Sequence, residues 1–381
     1  MSKTFAQIEP ALSSSVLDTL STAFQFTSPT PVQSSTIPLF LSNKDVCVQA
    51  TTGSGKTIAF VVPVFEILMR CAPHKKGFIY ALIIAPTREL SAQIHGVVQT
   101  FSQSSSSSSS LQAIQSALLV GGTSVHDNTQ TLLSSSPQIA IGTPGRILDL
   151  INRQVPCFNL KSLEILILDE ADSILDLGFK ETINQILSVL PKQRRTGLFS
   201  ATQTNEVKEL ARAGLRNPVT IVVKVQAKET LSSSSSLASA APASHQLLIP
   251  STLTNHFEIC DYEHRIPRLL HFMHENPASK IIVFCATCSC VDFYSLVFAR
   301  LTSGSPSSSS SSSSAQKKAS FFKSNHQVVG LHGKMVPKKR TALYRKFVAM
   351  EAGVLFSTDV AARGTGFIVP ICAITTDDCF N

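Results

Sequence analysis

Along the chain, short runs of β-branched and aliphatic residues alternate with segments whose apolar positions recur at helical spacing. Runs at 46–50, 79–85, 117–120, 138–141, 163–168, 196–199 and 219–223 predict strands, and their continuous hydrophobicity implies burial on both faces. Between them, 56–70, 87–101 and 181–190 carry helical patterns. A second series begins near His256, with strands predicted at 280–286, 327–331 and 353–357 and helices at 265–274 and 338–348. Such alternation is the pattern of βα units on a parallel sheet, an α/β fold.

Polar tracts punctuate this pattern. Serine runs at 104–110, 232–236 and 307–314 have nothing to bury, so each reads as a loop or linker. The Ser, Ala and Pro concentration in the middle of the chain predicts an N-terminal domain at 1–225, a linker at 226–253 and a C-terminal domain at 254–381. Residues 369–376 are not expected to form a strand, because Pro370 lies inside the run and Asp377-Asp378 follow it.

Length and charge narrow the classes. A chain of 381 residues with 43% hydrophobic residues can bury real cores, which excludes a disordered tail or a small disulfide scaffold. Its 33 Lys and Arg against 25 Asp and Glu leave +8, compatible with a polyanionic partner. Nine cysteines scattered through apolar runs read as reduced thiols. Three of them, Cys285, Cys288 and Cys290, lack the second Cys or His pair that a zinc site needs. No leader and no membrane span are expected.

Two stretches carry chemistry. Ala50-Thr51-Thr52-Gly53-Ser54-Gly55-Lys56-Thr57 follows a predicted strand and opens a predicted helix, the context of a phosphate-binding P-loop. Backbone N–H groups there would cradle phosphates, Lys56 would reach the β- and γ-phosphates, and Thr57 would bind Mg²⁺. At the end of another buried strand, Asp169-Glu170-Ala171-Asp172 places paired carboxylates where open α/β sheets bind ligands. Asp169 would hold Mg²⁺ through water, and Glu170 would orient the attacking water.

Asp-Glu-Ala-Asp at 169–172 together with this P-loop resembles the DEAD-box RNA helicases, and other family motifs stand in order through residue 364. The resemblance implies two RecA-like parallel-sheet domains, ATP and Mg²⁺ as cofactors, RNA as substrate, and ATP hydrolysis as the reaction. Phe26 to Gln33 resembles the adenine-reading Q motif, and Phe5 resembles the aromatic upstream of it. The ATP site implied is therefore Phe5, Phe26, Gln33, Thr52, Gly53, Ser54, Gly55, Lys56 and Thr57, with Lys56, Asp169 and Glu170 catalytic. Thr87 and Arg88, Gly121 and Gly122, and Thr143-Pro144-Gly145-Arg146 resemble the RNA-backbone motifs of the first domain. Gly333, Arg340, Thr358 and Asp359 resemble those of the second. Ser200 and Thr202 resemble the motif that couples the ATP and RNA sites. Within the family, the run from Leu190 to Thr204, with 212–218, is similar to a nucleolar subgroup acting in large ribosomal subunit assembly. That likeness implies a ribosomal RNA precursor, pre-ribosomal particles, a nuclear and nucleolar location, and a monomer.

The pattern breaks after Arg363-Gly364. Thr365-Gly366-Phe367-Ile368 lacks the family's aspartate, and the chain reaches Asn381 without the His-Arg and Gly-Arg pattern of motif VI. An incomplete second domain is therefore expected. The alternative function is a truncated RNA- and ATP-binding protein with little ATPase, since an arginine finger contributes ~10³ to 10⁵ in related phosphoryl transfer.

Overall fold

The computed structural model describes residues 4–103, 111–223, 256, 258–303, 327–358 and 371–375. The serine runs at 104–110, 232–236 and 307–314, the expected linker, and Asp359 lie outside them. The chain divides into two compact units, to Asn255 and from His256.

In the first unit the elements run α1 (Ser14–Thr22), α2 (Pro31–Leu41), β1 (Val46–Gln49), α3 (Lys56–Arg70), β2 (Ala81–Ile84), α4 (Arg88–Gln103), β3 (Ser116–Leu119), α5 (Val125–Ser135), β4 (Ile139–Gly142) and α6 (Pro144–Asn152). There follow β5 (Ile165–Leu168), α7 (Ala171–Asp176), α8 (Lys180–Val189), β6 (Arg195–Ser200), α9 (Asn205–Gly214) and β7 (Val219–Val222). The strands form one sheet in the order β3-β4-β2-β5-β6-β1-β7, every pairing parallel.

The period-two geometry of a strand sorts its side chains onto two cores. Val46 and Val48, Ile83, Ile165 and Ile167, and Phe199 pack with Leu20, Phe40, Phe60 and Ile94 of α1 to α4. Their neighbours Cys47, Leu82, Leu166, Leu168 and Leu198 pack on the other face with Leu132, Ile147, Ile186 and Leu210 of α5 to α9. Early helices thus cover one face and late helices the other, which explains why these strands read as unbroken apolar runs. Local signals set the helix starts. Thr30 and Gln33 close a capping box on α2, with Pro31 in its first turn, and the Ser124 hydroxyl accepts from Asp127 N at the start of α5.

The second unit contains α10 (Arg265–Glu275), β8 (Lys280–Phe284), α11 (Cys288–Ser303), β9 (Gln327–Leu331), α12 (Pro337–Ala349), β10 (Gly353–Ser357) and β11 (Ile371–Thr375). Its sheet has the order β11-β8-β10-β9 and is parallel throughout. Ile281, Val283, Val354 and Phe356 pack against α10 and α11, while Ile282, Val329, Leu331 and Leu355 pack with Phe347 of α12.

β11 corrects the expectation that 369–376 would not form a strand. It pairs with β8 in the register Ile371↔Lys280. The described strand begins at Ile371, one residue after Pro370, and a proline is compatible with the start of a strand or an edge.

Candidate functional site

The functional motifs of the first unit converge because each follows the carboxyl end of a strand in one sheet, where open α/β sheets bind ligands. The P-loop follows β1, Thr87 and Arg88 follow β2, Gly121 and Gly122 follow β3, Thr143 to Arg146 follow β4, Asp169 to Asp172 follow β5, and Ser200 to Thr202 end β6. The strand order partitions them. Adjacent β3, β4 and β2 carry the candidate RNA residues, while β5, β6 and β1 carry the carboxylates, the coupling residues and the P-loop.

The P-loop turns through left-handed backbone at Gly53 (φ 76°) and Gly55 (φ 91°), conformations that glycine adopts at low cost. Gly55 has a second constraint, since a Cβ there would lie 2.5 Å from Gln33 Nε2. Gln33 Nε2 donates to the Gly55 carbonyl at 3.1 Å, and its Oε1 accepts from Thr30 N at 2.9 Å. One amide N–H and one oxygen lone pair remain. Lys56 is buried and its Nζ donates to the Ala50 carbonyl at 3.0 Å, so the ammonium lies at the base of the loop. Thr57 is half-buried, and Thr52 and Gly53 are exposed.

Next to β5, Asp169 and Glu170 are both buried. The Asp169 carboxylate accepts from Glu170 N at 3.0 Å, and Glu170 takes left-handed backbone at φ 48°. Burial raises the Asp169 pKa, opposed by the Lys56 ammonium and the Glu170 N–H. Burial, with the Asp169 charge, pushes Glu170 up to about 7. Two desolvated carboxylates beside a buried lysine, next to a glycine-built turn, form a donor set that fits a phosphate chain with a hard divalent cation.

Asp172 is the residue that sequence reasoning left without a role. Its Oδ2 accepts from Thr202 N at 3.0 Å, Thr202 Oγ1 at 2.9 Å and Ala201 N at 3.2 Å. Ser200 Oγ in turn donates to the Thr202 carbonyl at 2.7 Å. The carboxylate turn and the expected coupling residues are therefore one hydrogen-bonded unit.

Among the candidate RNA residues, Thr87 Oγ1 accepts from Leu90 N at 3.2 Å, fixing the start of α4. The Arg88 guanidinium lies against Gly121, where a Cβ would meet Nη2 at 3.0 Å. At Gly142, just before Thr143, a Cβ would lie 2.2 Å from the Leu119 carbonyl oxygen, so only glycine lets β3 and β4 end side by side there. Pro144 is buried in the first turn of α6, and Gly145 is exposed. Arg146 Nη1 donates to Asn128 Oδ1 at 3.0 Å and Nη2 to the Thr123 carbonyl at 2.8 Å.

Two aromatics part company. Phe5 is 4% exposed and packs in the first core, whereas Phe26 is 41% exposed and stacks on Phe24.

In the second unit Gly333 is exposed just after β9, Arg340 lies on α12, and buried Thr358 follows β10. Ser357 Oγ donates to the Leu331 carbonyl at 2.9 Å, holding the ends of β9 and β10 together. Among the described residues no group of three or more His, Cys, Asp and Glu is placed to hold a metal ion; Cys285 is buried, and Cys288 and Cys290 are half-buried. No described helix is long and apolar enough to cross a membrane.

A DEAD/DEAH box helicase model matches residues 30–210, and a helicase conserved C-terminal domain model matches residues 263–368. The chain is 43% identical over 367 residues to DEAD-box ATP-dependent RNA helicase 18 of Oryza sativa subsp. japonica, covering 94% of this chain and 51% of the relative. It is 40% identical over 340 residues to ATP-dependent RNA helicase DDX55 of Bos taurus, covering 88% and 50%. It thus spans about half the length of these curated relatives. Among solved structures, S. cerevisiae Dbp5 bound to RNA and ADP BeF3 matches with a TM-score of 0.69 at 25% identity, covering 95% of this chain and 77% of that one. With the ordered motifs on two RecA-like parallel sheets, these likenesses show that the chain belongs to the DEAD-box RNA helicase family.

Proposed function

We propose that the chain is an ATP-dependent RNA helicase unit that binds ATP with Mg²⁺ and the RNA backbone. The observation that carries this reading is the division of one sheet edge, with Lys56, Asp169 and Glu170 on one side and Thr87, Arg88, Gly121, Gly122, Thr143 and Arg146 on the other. Relatives named as ATP-dependent RNA helicases support it.

Bound ATP with Mg²⁺ supplies the phosphoanhydride bond and the charge that fixes it. N–H groups of 53–57 and the Lys56 ammonium would hold the phosphates, and Thr57 and Asp169 the cation. The amide capacity left on Gln33 suits the paired donor and acceptor of an adenine edge. Glu170 orients the attacking water and accepts its proton at a carboxylate oxygen, which requires the ionised form. Burial and Asp169 raise its pKa in the nucleotide-free chain, and the charge of a bound cation would favour the ionised form. Hydroxyls, helix-terminal N–H groups and arginines on the β3-β4-β2 side suit phosphate oxygens and carry little base information.

Phosphate release stimulated by an oligouridylate tests the proposal on the 381-residue chain. Lys56→Ala should weaken ATP binding at least tenfold, and Glu170→Gln should retain ATP binding while losing turnover. Unchanged turnover in both variants would reject the assignment.

A ribosomal RNA precursor in a nucleolar setting is the finer proposal. It rests on the likeness of the Leu190 to Thr204 run. Cross-linking in cells followed by sequencing of the bound RNA checks it, and an RNA set without ribosomal precursors would overturn it.

A further inference from the structure

Asn128 stands out because it is a polar side chain only 4% exposed, and its hydrogen bonds run between two motifs that are not neighbours in sequence. It sits in the first turn of α5, just after the Gly121-Gly122 turn. Its Nδ2 donates to Thr123 Oγ1 at 2.8 Å and approaches the Ser124 carbonyl at 3.4 Å. Its Oδ1 accepts from Arg146 Nη1 at 3.0 Å. Thr123 completes the clamp, since its carbonyl accepts from Arg146 Nη2 at 2.8 Å, its Oγ1 lies 3.5 Å from Nη1, and the same Oγ1 donates to the Val120 carbonyl at 2.9 Å. The guanidinium is thereby fixed across 18 residues of sequence to the turn after β3.

We infer that Asn128 is a positioning residue that orients Arg146 for an RNA phosphate and joins the two turns after β3 and β4 into one phosphate-binding platform. The inference rests on the reading of Arg146 as a backbone contact. The choice of side chain follows from electrostatics. Three contacts use at most three of the five N–H donors of a guanidinium, leaving donors for a phosphate. A carboxylate at 128 would hold the arginine at least as firmly, but it would cancel the charge that a phosphate needs. The amide aligns the guanidinium and leaves its full positive charge available. Burial adds to the effect, because holding Arg146 in one rotamer before RNA arrives removes an ordering cost from binding.

The test compares Arg146→Ala, Asn128→Ala, Asn128→Asp and the Asn128→Ala/Arg146→Ala double variant in the full chain. A ten-nucleotide oligouridylate is the probe, titrated at several salt concentrations, with ATP affinity and thermal unfolding as parallel readouts. Arg146→Ala should weaken RNA binding about tenfold and reduce the salt slope by about 0.7, the value for one phosphate contact on a single strand. Asn128→Ala should weaken binding several-fold at unchanged ATP affinity and add nothing in the double variant. Asn128→Asp should melt at least as high as the parent yet bind RNA with the reduced slope, which a purely structural role for Asn128 would not produce. It also serves as the readout if Asn128→Ala folds poorly. If Arg146→Ala leaves RNA binding unchanged, the reading of Arg146 as an RNA contact falls. If Arg146→Ala weakens binding while Asn128→Asp binds with the parent's slope, or the double variant is additive, the positioning role of Asn128 alone is overturned.

Discussion

The Asp172 carboxylate receives both the backbone N–H and the hydroxyl of Thr202, at 3.0 and 2.9 Å, through a single oxygen. This contact spans 30 residues and joins the turn after β5 to the end of β6. Hydrogen bonds to a charged group contribute about 1.5–3 kcal/mol each, and neutral ones about 1 kcal/mol. Asp172→Ala should therefore destabilise the protein by about 3 kcal/mol in equilibrium denaturation, and Thr202→Val, which removes one charge-assisted bond at an exposed position, by about 1.5 kcal/mol. Because the residues touch, the double variant should cost less than the sum. An additive result would mean that the pair does not act as a unit.

Glu170 gives a pH signature of opposite sign to an ordinary paired carboxylate. Its pKa is raised by burial and by Asp169 from 4.5 to about 7 in the folded chain, so between those values the unfolded chain releases a proton that the folded chain keeps. Stability conferred by the neutral carboxyl is present below pH 4.5 and is lost as pH rises toward 7. A shift of this size corresponds to roughly 3 kcal/mol. In the nucleotide-free protein, Glu170→Gln should be close to neutral at pH 5 and should raise the melting temperature clearly at pH 8. Equal effects at the two pH values would contradict the assigned shift. Keeping a destabilising carboxylate at this place is the usual trade of stability for a reactive group.

The two P-loop glycines separate backbone strain from collision. Gly53 and Gly55 both have positive φ, but a Cβ at Gly53 has nothing within 4 Å, whereas at Gly55 it meets Gln33 Nε2 at 2.5 Å. Gly53→Ala should cost about 1 kcal/mol, the left-handed penalty alone. Gly55→Ala should cost more and should also displace the Gln33 amide, narrowing the preference for ATP over GTP. Calorimetric titration of both nucleotides checks this, and equal discrimination by the two variants would dissociate Gln33 from the adenine end.

What could be read from the chain and what could not divide along the distance over which each signal acts. The helix 56–70 has the bounds expected from its pattern, because a glycine-rich turn and the long apolar run that follows it are local signals. The apolar runs of β1, β2, β4, β5 and β6 reported burial on both faces, which the two cores bear out. The same expectation fails for 117–120 and 219–223, because β3 and β7 lie at the two edges of the sheet and bury one face only. Asn128 and Asp172 are different. An Asn in a polar helix and the fourth residue of an acidic motif look alike in sequence whether they face solvent or a partner. Their partners, Arg146 and Thr202, become neighbours only through the order β3-β4-β2-β5-β6. β11 departs from expectation for a related reason, since Pro370 argues locally against a strand while the apolar Ile371 to Ile374 argue for one. The strand's edge position beside β8 depends on pairing that no local pattern contains.

The same long-range logic applies to Glu66, whose carboxylate is 3% exposed in the middle of α3. Its Oε1 accepts from both Ser13 N at 2.7 Å and Ser13 Oγ at 2.8 Å, and its Oε2 lies 3.8 Å from Arg70 Nη2. Ser13 caps α1, where its hydroxyl also receives Val16 N. The buried acid thus pins the start of α1 to the helix that opens with Lys56. Removing the carboxylate takes the partner from the half-buried Ser13 N–H, whereas removing the Ser13 hydroxyl leaves that N–H bonded. Glu66→Ala should therefore destabilise by about 3 kcal/mol or more, as breaking a buried charged network does. Ser13→Ala should cost about 1–2 kcal/mol from the cap and the hydroxyl bond together. In a Glu66→Ala background the cost of Ser13→Ala should shrink to that of the cap, about 1 kcal/mol. Urea denaturation of the four chains provides the cycle, and an unchanged Ser13→Ala cost in the two backgrounds would show that the contact between α1 and α3 carries no coupling energy.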